Sequence, residues 1–427
     1  MPAGETGYKW RLVALLFGVA MLNYADRTAI TTVFPLLRAD LKMTDLELGA
    51  VGSLFLWAYA LASPLAGSWA DRMSRSRLIV WSLAAWSLIT LASGLVTTTW
   101  QLLAMRALLG FAEALYLPAA IALIADYHPG DTRATAISIH TAGLSFGLVA
   151  GGTATGYLGE SFGWRPAFLI LGGAGLLMAV AAWWWVRDAP EPRELSSRES
   201  PSMAASMIQL LRIPSYSILM AQAMVVAVAN WIFVNWLPLY FKEVHSMSLG
   251  AAGFAGTFMI QGAATVGVLA GGVISDRYGG RRPRRRMLIQ SVCCFLAAPF
   301  LLAFLYQPGI AVLNLCIFIC AFFKRIGSTN ELPIVCDLLE PRMRSTAIGM
   351  MNATNCASGG FGILMAGALK SSLGLDGIFG GLSLLMVLAG VITLAGYLYF
   401  FERDLRLSAT GRRPLRVPVP ATAPQAN

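Results

Sequence analysis

An acid and a base stand side by side in the middle of the first apolar stretch of this 427-residue chain. The stretch runs from about Trp10 to Leu37. Beyond Arg11 at its edge, Asp26 and Arg27 are its only charges. About 20 apolar residues let a helix cross a bilayer, so both charges fall near membrane depth. There an isolated charge costs roughly 2.5–3.5 kcal/mol on insertion scales, and it faces a cavity or a partner. Asn23, Asp26, Arg27 and Ile30 follow i, i+3, i+4, i+7, which puts the polar members on one helix face. Arg106, Gly110 and Glu113 share a face of a fourth apolar stretch by i, i+4, i+7 spacing. A third set, Lys324, Arg325, Ser328, Thr329 and Glu331, interrupts the tenth, with Lys324, Ser328 and Glu331 expected on one face. Carboxyls in such places can take up and release protons, and cations can capture an anion. The bland alternative is mutual neutralisation: Asp26 with Arg27 in a buried bundle, Arg106 with Glu113 as a structural ion pair, and inter-domain pairs or a snorkelling Lys324 in the tenth stretch.

Composition decides what kind of chain carries these groups. Charged residues make up 13% and hydrophobic residues 57%, against roughly 25% and 45–50% in a soluble domain. Apolar stretches recur along the whole length, so the expected class is an all-α polytopic membrane protein. The net charge of +10 lies in the loops between them. That placement reads as topology control and contact with anionic headgroups, not as nucleic-acid binding. The sequence holds no Gly-rich nucleotide loop, metal-ligand cluster or nucleophile elbow, so neither an enzyme nor a cofactor or metal is expected. The six cysteines sit in apolar stretches of the second half, with no Cys-x-x-Cys, and read as small packing residues. His128, His140 and His245 read as loop polarity near span ends, so no histidine proton relay is assigned. The first stretch is too long for a cleavable leader and carries Asp26 and Arg27.

Twelve spans are expected, at about 10–37, 45–70, 78–98, 101–126, 134–158, 166–186, 215–241, 249–275, 287–307, 310–338, 345–370 and 377–401. Pro35, Pro118, Pro238 and Pro333 lie within or near spans and mark expected bending points. Residues 1–186 and 214–407 then form two six-helix halves. They are joined by a polar linker at 187–213 and followed by a disordered tail at 408–427. With this count, 23 of the 32 Lys and Arg residues fall on the side of the termini and 5 on the other. That asymmetry predicts cytoplasmic termini. Two internal repeats support the halving. Gly67-Ser-Trp-Ala-Asp71-Arg72 recurs as Gly272-Val-Ile-Ser-Asp276-Arg277, and Asp126…Arg133-Ala-Thr-Ala-Ile137 recurs as Asp337…Arg344-Ser-Thr-Ala-Ile348. Parallel repeats about an axis along the membrane normal are a transporter architecture.

On these residues the chain resembles the major facilitator superfamily over essentially all twelve spans. The loop Gly67…Asp71-Arg72…Arg75…Arg77 is similar to that superfamily's gating motif, with Ser74 where a Gly is usual. The second copy, Gly272…Asp276-Arg277, keeps that Gly as Gly279. Arg106…Gly110 resembles the superfamily's Arg-x-x-x-Gly of the fourth helix, and Gly143, Gly147, Gly151, Gly152 and Gly156 permit close packing of the fifth. The Gly-Pro signature of drug/proton antiporters is absent. Asn23-Tyr-Ala-Asp-Arg27, Phe55-Leu-Trp-Ala-Tyr59, Trp86-Ser-Leu-Ile-Thr90 and Arg106-Ala-Leu-Leu-Gly110-Phe-Ala-Glu113 together resemble the anion:cation symporters, which carry sugar acids and other carboxylates with protons or sodium. Spinster-type transporters of lipid-like anions share the Asp-Arg first helix and the Gly-x-x-Glu-Ala fourth helix.

The resemblance implies proton-coupled symport of an organic anion by a monomer, and the compact chain without organelle signals points to a bacterial inner membrane. It makes Asp26 and Glu113 the proton-coupling residues, Arg27 the substrate anchor and Arg106 the partner of Glu113. Tyr24, Tyr59 and Asn352 match cavity residues of that family. Lys324, Arg325, Thr329 and Glu331 are further candidates for binding an acidic substrate, and the Lys-Arg pair departs from the family pattern. Asn230, Trp231, Asn235 and Trp236 are expected to line an outer cavity. Leu144 stands where some sugar-acid symporters carry a polar residue, which counts against a heavily hydroxylated acid. Drawing a guanidinium from a buried carboxylate to a substrate anion favours protonation of that carboxylate, so anion and proton couple without touching. Arg suits the anchor because its planar fork meets a carboxylate bidentately. The alternatives are an exporter or antiporter of amphipathic anions and, in another class, a transporter-like substrate sensor.

Overall fold

The computed structural model describes residues 3–128, 130–189, 203–280 and 282–409. Among these there is no strand; the elements are helices α1 (Ala3–Thr32), α2 (Phe34–Leu41), α3 (Asp45–Arg72), α4 (Arg75–Ser93), α5 (Thr99–Ala114), α6 (Tyr116–Tyr127), α7 (Arg133–Phe162), α8 (Trp164–Trp185), α9 (Met203–Leu211), α10 (Pro214–Glu243), α11 (Leu249–Ile274), α12 (Arg284–Leu301), α13 (Ala303–Tyr306), α14 (Ile310–Ser328), α15 (Glu331–Leu338), α16 (Pro341–Ala395) and α17 (Phe401–Ala409). Polar caps set several starts. Thr44 with Glu47 and Thr98 with Gln101 form capping boxes, and Ser74 and Ser248 cap α4 and α11.

Proline sets three of the interruptions. It lacks an amide donor and clashes with the carbonyl four residues back. The chain breaks at Val33 just before Pro35, at Leu115 before Pro118, and at Thr329–Asn330 before Pro333. Pro238 differs, because α10 runs through it unbroken. There the ring packs against Gly256 of α11, where a Cβ would meet it at 3.1 Å.

Eleven helical stretches among the described residues are long and apolar enough to cross a membrane. The last, Met343–Leu407, spans 65 residues and is two helices meeting at Gly374, whose φ of 65° only glycine adopts freely. Twelve crossings result, and both described chain ends lie on one face, here the terminal face. Most of the expected linker (190–202) and tail (410–427) lie outside the described residues. Part of the linker is helical: α9 buries Leu210 against Tyr216, Met287, Leu338 and Phe401.

Glycines govern how α1 is held. Gly143, Gly147 and Gly151 of α7 face Phe17, Met21 and Ala25, with the same spacing of four on both helices. A Cβ on Gly151 would stand 2.4 Å from Ala25 Cα. Gly151→Val therefore pushes α1 away just beside Asp26. Overpacking of this kind costs about 1–3 kcal/mol or more. The expected outcome is a clear drop in melting temperature in detergent; an unchanged melting temperature contradicts the packing.

The repeat is visible as chemistry. Arg75 pairs with Asp126, and Arg286 pairs with Asp337. Both partners are displaced by 211 positions from one pair to the other. Each pair ties the start of one span to the end of the next on the terminal face of its half.

The halves meet at the midplane and towards the opposite face. Ser53 Oγ donates to Gly360 O at 2.7 Å and Trp57 Nε1 to Ala357 O at 3.0 Å. Further out, Arg38 bonds Glu243 at 2.7 Å and Lys370 bonds both Asp45 (3.2 Å) and Glu243 (2.8 Å). Arg38 also pairs with Asp45. This four-residue cluster joins α2, α3, α10 and α16 and closes the opposite face over the central cavity.

Candidate substrate site

The site is built where α1, α3, α4 and α5 cross. Gly110 lets α5 cross α3 closely: a Cβ there would lie 2.2 Å from Phe55 O. That crossing sets Arg106 and Glu113, one turn to either side of Gly110, beside Phe55 and α1. Arg27 Nε donates to Glu113 Oε2 at 2.9 Å. The Arg27 guanidinium also lies over three aromatic rings, 4.4 Å from the centroid of Tyr24 and 5.0 Å from those of Phe55 and Tyr59. Cations are attracted to such ring faces.

Asp26 turns the other way along α1. Its Oδ2 accepts from Thr90 Oγ1 of α4 at 2.9 Å. Asp26, Arg106 and Glu113 are 4%, 3% and 1% exposed, so water does not reach them freely. Four polar atoms here are buried without a hydrogen-bond partner: Asp26 Oδ1, Glu113 Oε1, Arg106 Nε and Asn23 Nδ2. Buried polar atoms normally find partners. A carboxyl oxygen left bare is a place where a proton can sit, because protonation removes the buried charge.

The expected Arg106–Glu113 pair is not formed. Glu113 takes Arg27 instead, and Arg106 lies 5.0 Å over the Phe55 ring. The adjacent Asp26 and Arg27 do not bond each other, since consecutive helical side chains point about 100° apart.

A cavity of about 310 Å³ lies between the halves. Tyr24, Arg27, Phe55, Arg106, Thr141, Leu144 and Ser145 wall it from the first half. Asn230, Trp231, Asn235, Gln261, Lys324 and Arg325 wall it from the second. Lys324 Nζ donates to Asn230 Oδ1 at 2.6 Å. Of the remaining candidates, Tyr59 is buried behind Arg27 and Asn352 is exposed and not among the wall residues, while Asn355 accepts from Trp231 Nε1 at 3.1 Å. Trp236 is buried and donates to Ile363 O, so it lines no cavity.

The tenth span departs from its expected geometry. The break at Thr329 ends the helical register, so Glu331 does not share a face with Lys324. It is bonded by Gln290 Nε2 at 3.4 Å, and Gln290 bonds Gln222. Thr329 bonds back to Arg325 O. Neither Thr329 nor Glu331 lines the cavity.

Two histidines are not loop polarity. His140 is buried, with Nε2 3.0 Å from Tyr116 Oη, which also bonds Leu16 O. His128 is buried against Lys9 O and Thr132, and desolvation pushes its proton affinity down from the ordinary histidine value.

Of the gating candidates, Asp276 and Arg277 are exposed on the wide terminal turn Ser275–Gly279, after Gly272 in α11. Gly67, Asp71 and Arg72 belong to α3, but their side chains lie outside the described residues. Thr90, Phe55, Gln261 and the Arg38/Asp45/Glu243/Lys370 cluster were not assigned from the sequence. Thr90 and Phe55 stood within quoted motifs, whereas the cluster's partners are far apart in the chain.

Twelve spans in two repeated halves around a central polar cavity define a secondary transporter fold. The chain belongs to the Major Facilitator Superfamily, whose profile matches residues 16–323 and 263–423. Members are transporters, and this chain is a multi-pass membrane transporter rather than an enzyme. It is 30% identical over 307 residues to the probable galactarate/D-glucarate transporter GudP of Bacillus subtilis, an alignment covering 64% of this chain and 66% of that relative. It is 26% identical over 369 residues to an MFS-type efflux pump of Mycolicibacterium smegmatis, covering 85% of each. Among solved structures, a bacterial homolog of the human lysosomal transporter spinster, in an inward-facing and unoccupied conformation, matches with a TM-score of 0.77. That likeness, at 22% identity, covers 94% of this chain and 98% of the homolog and concerns the fold.

Proposed function

We propose that the protein is a proton-coupled symporter that takes up an organic carboxylate across a bacterial cytoplasmic membrane, its terminal face on the cytoplasmic side and each six-helix half (1–186 and 214–407) moving as a unit. One observation carries this reading. Among the described residues, the cavity wall presents four cations, Arg27, Arg106, Lys324 and Arg325, and no carboxylate. An anion is the ligand that such a wall recognises. Leu144, Leu148, Val234, Ile260 and Trp231 complete the wall, which suits an acid with an apolar body better than one covered in hydroxyls. The GudP relative, named for two sugar acids, supports the anion and not the polyol.

The charge balance suggests the coupling. Asp26 and Glu113 offset Arg27 and Arg106 when all four are ionised. A carboxylate that draws Arg27 away leaves Glu113 buried without the cation bonded to it, and a proton removes that bare charge. Arg27 leaves Glu113 for the substrate carboxylate, and the freed Glu113, with Asp26 beside Thr90, takes the proton. With no bare buried carboxylate left on the first half, the halves rock and expose the site on the other face.

Asp26→Asn tests the coupling separately from binding. The expected result is loss of gradient-driven accumulation, with exchange of labelled for unlabelled acid retained. Undiminished accumulation on a proton gradient removes Asp26 from the mechanism. Export is the second reading, favoured by the greater coverage of the M. smegmatis efflux pump. It predicts that an inward proton gradient speeds the loss of preloaded acid, whereas symport predicts that the same gradient retains it.

A further inference from the structure

The two halves of the cavity are not charged alike. On the first half, Arg27 and Arg106 are matched by the buried carboxyls Asp26 and Glu113, with Arg27 bonded to Glu113. On the second half, Lys324 and Arg325 face the same cavity. No carboxylate among the described residues lies within ion-pair distance of either. Lys324 Nζ is held by a single neutral acceptor, Asn230 Oδ1 at 2.6 Å. The one acid nearby in sequence, Glu331, lies beyond the break at Thr329, where Gln290 Nε2 donates to it at 3.4 Å; it feels the charge of Arg325 but forms no ion pair with Lys324.

We infer that the substrate carries two anionic groups, and that Lys324, oriented by Asn230, is the anchor for the second. The inference rests on the carboxylate reading above and names its class: a dicarboxylate, or an equivalent dianion, with an apolar middle. One carboxylate reaches Arg27 on α1 and the other reaches Lys324 on α14. The midsection lies along Trp231, Leu144 and Ile260. Three donor hydrogens on an ammonium leave room for a ligand oxygen beside Asn230. A dianion held this way bridges the two halves, which also explains how occupancy is sensed by both at once. A monoacid of the same length fills the cavity but leaves Lys324 with no counter-charge.

The experiment is uptake into proteoliposomes of straight-chain dicarboxylates and of monocarboxylates of matched length, for wild type, Lys324→Met and Lys324→Arg. A charge-assisted hydrogen bond in a desolvated site corresponds to a factor of about ten to a hundred. Wild type should prefer the diacid over its monoacid by that factor. Lys324→Met should abolish the preference, with KM for the diacid no lower than for the monoacid, and Lys324→Arg should restore most of it. A ligand-free melting temperature close to that of wild type shows that the variant is folded. Melting-temperature shifts on adding each acid in detergent give the same ranking without transport. Equal use of both acids by wild type, or a Lys324→Met variant that keeps the preference, overturns the second anchor and leaves the carboxylate symporter standing. Uptake of neither series overturns both.

Discussion

Arg27→Ala lowers uptake at subsaturating acid at least about a hundredfold, and Arg27→Lys recovers only a small part. Two losses add in the Ala variant. The substrate loses a bidentate, charge-assisted anchor. Glu113, 1% exposed, loses the one partner bonded to it at 2.9 Å. Removing one member of a buried pair costs about 3–5 kcal/mol, because the other is left uncompensated. Lys restores the charge but not the fork, nor the flat face that lies over Tyr24, Phe55 and Tyr59. Glu113→Gln in the Arg27→Ala background removes the stranded charge and recovers stability but not transport. Melting temperatures and initial rates of the four proteins in this cycle separate the structural from the transport effect. Full activity in Arg27→Ala removes Arg27 as anchor.

Asp45→Asn with Glu243→Gln shifts the conformational equilibrium towards opening of the opposite face. Single exposed ion pairs contribute little, about 0–1 kcal/mol. Here, however, two acids and two bases interlock across both halves, and Lys370 is largely buried, with its side chain 10% exposed. Neutralising both acids leaves Arg38 and Lys370 facing each other with no anion between them. A loss of about 1.4 kcal/mol is tenfold in population. The reporter is Ser53→Cys, at a buried position bonded across the interface to Gly360, in a background with the six native cysteines replaced. A membrane-impermeant thiol reagent applied from that face should label it about ten times faster in the double variant. Equal labelling rates mean that the small-residue contacts at Gly152–Gly253 and Gly156–Gly250, not the charges, hold this state.

The fold was legible because its signals are local or periodic. Span length, loop charge and the doubled Asp–Arg motifs need only the sequence. The site was only partly legible. Helical spacing grouped Asp26 with Arg27 and Arg106 with Glu113, but the partner of each is chosen by how α1, α4 and α5 rotate against one another. Gly110 against Phe55 and Gly151 against Ala25 decide that rotation, and no spacing rule within one helix contains it. Lys324 and Glu331 were grouped by a register that Pro333 interrupts. His128 and His140 lie at span ends, where sequence suggests solvent, yet Tyr116, Lys9 and Thr132 close around them. The opposite-face cluster joins residues more than 300 positions apart, Asp45 and Lys370, which no local pattern announces.

Proton-coupled symport requires that a carboxylate and a proton enter together. Its most direct measurement is uptake of a labelled carboxylate into proteoliposomes with an inward proton gradient, beside a sodium gradient of equal size and a protonophore control. Accumulation above equilibrium is expected on the proton gradient alone, abolished by the protonophore and absent in Asp26→Asn. Accumulation on sodium alone, or equilibration at the same rate with and without the proton gradient, contradicts it.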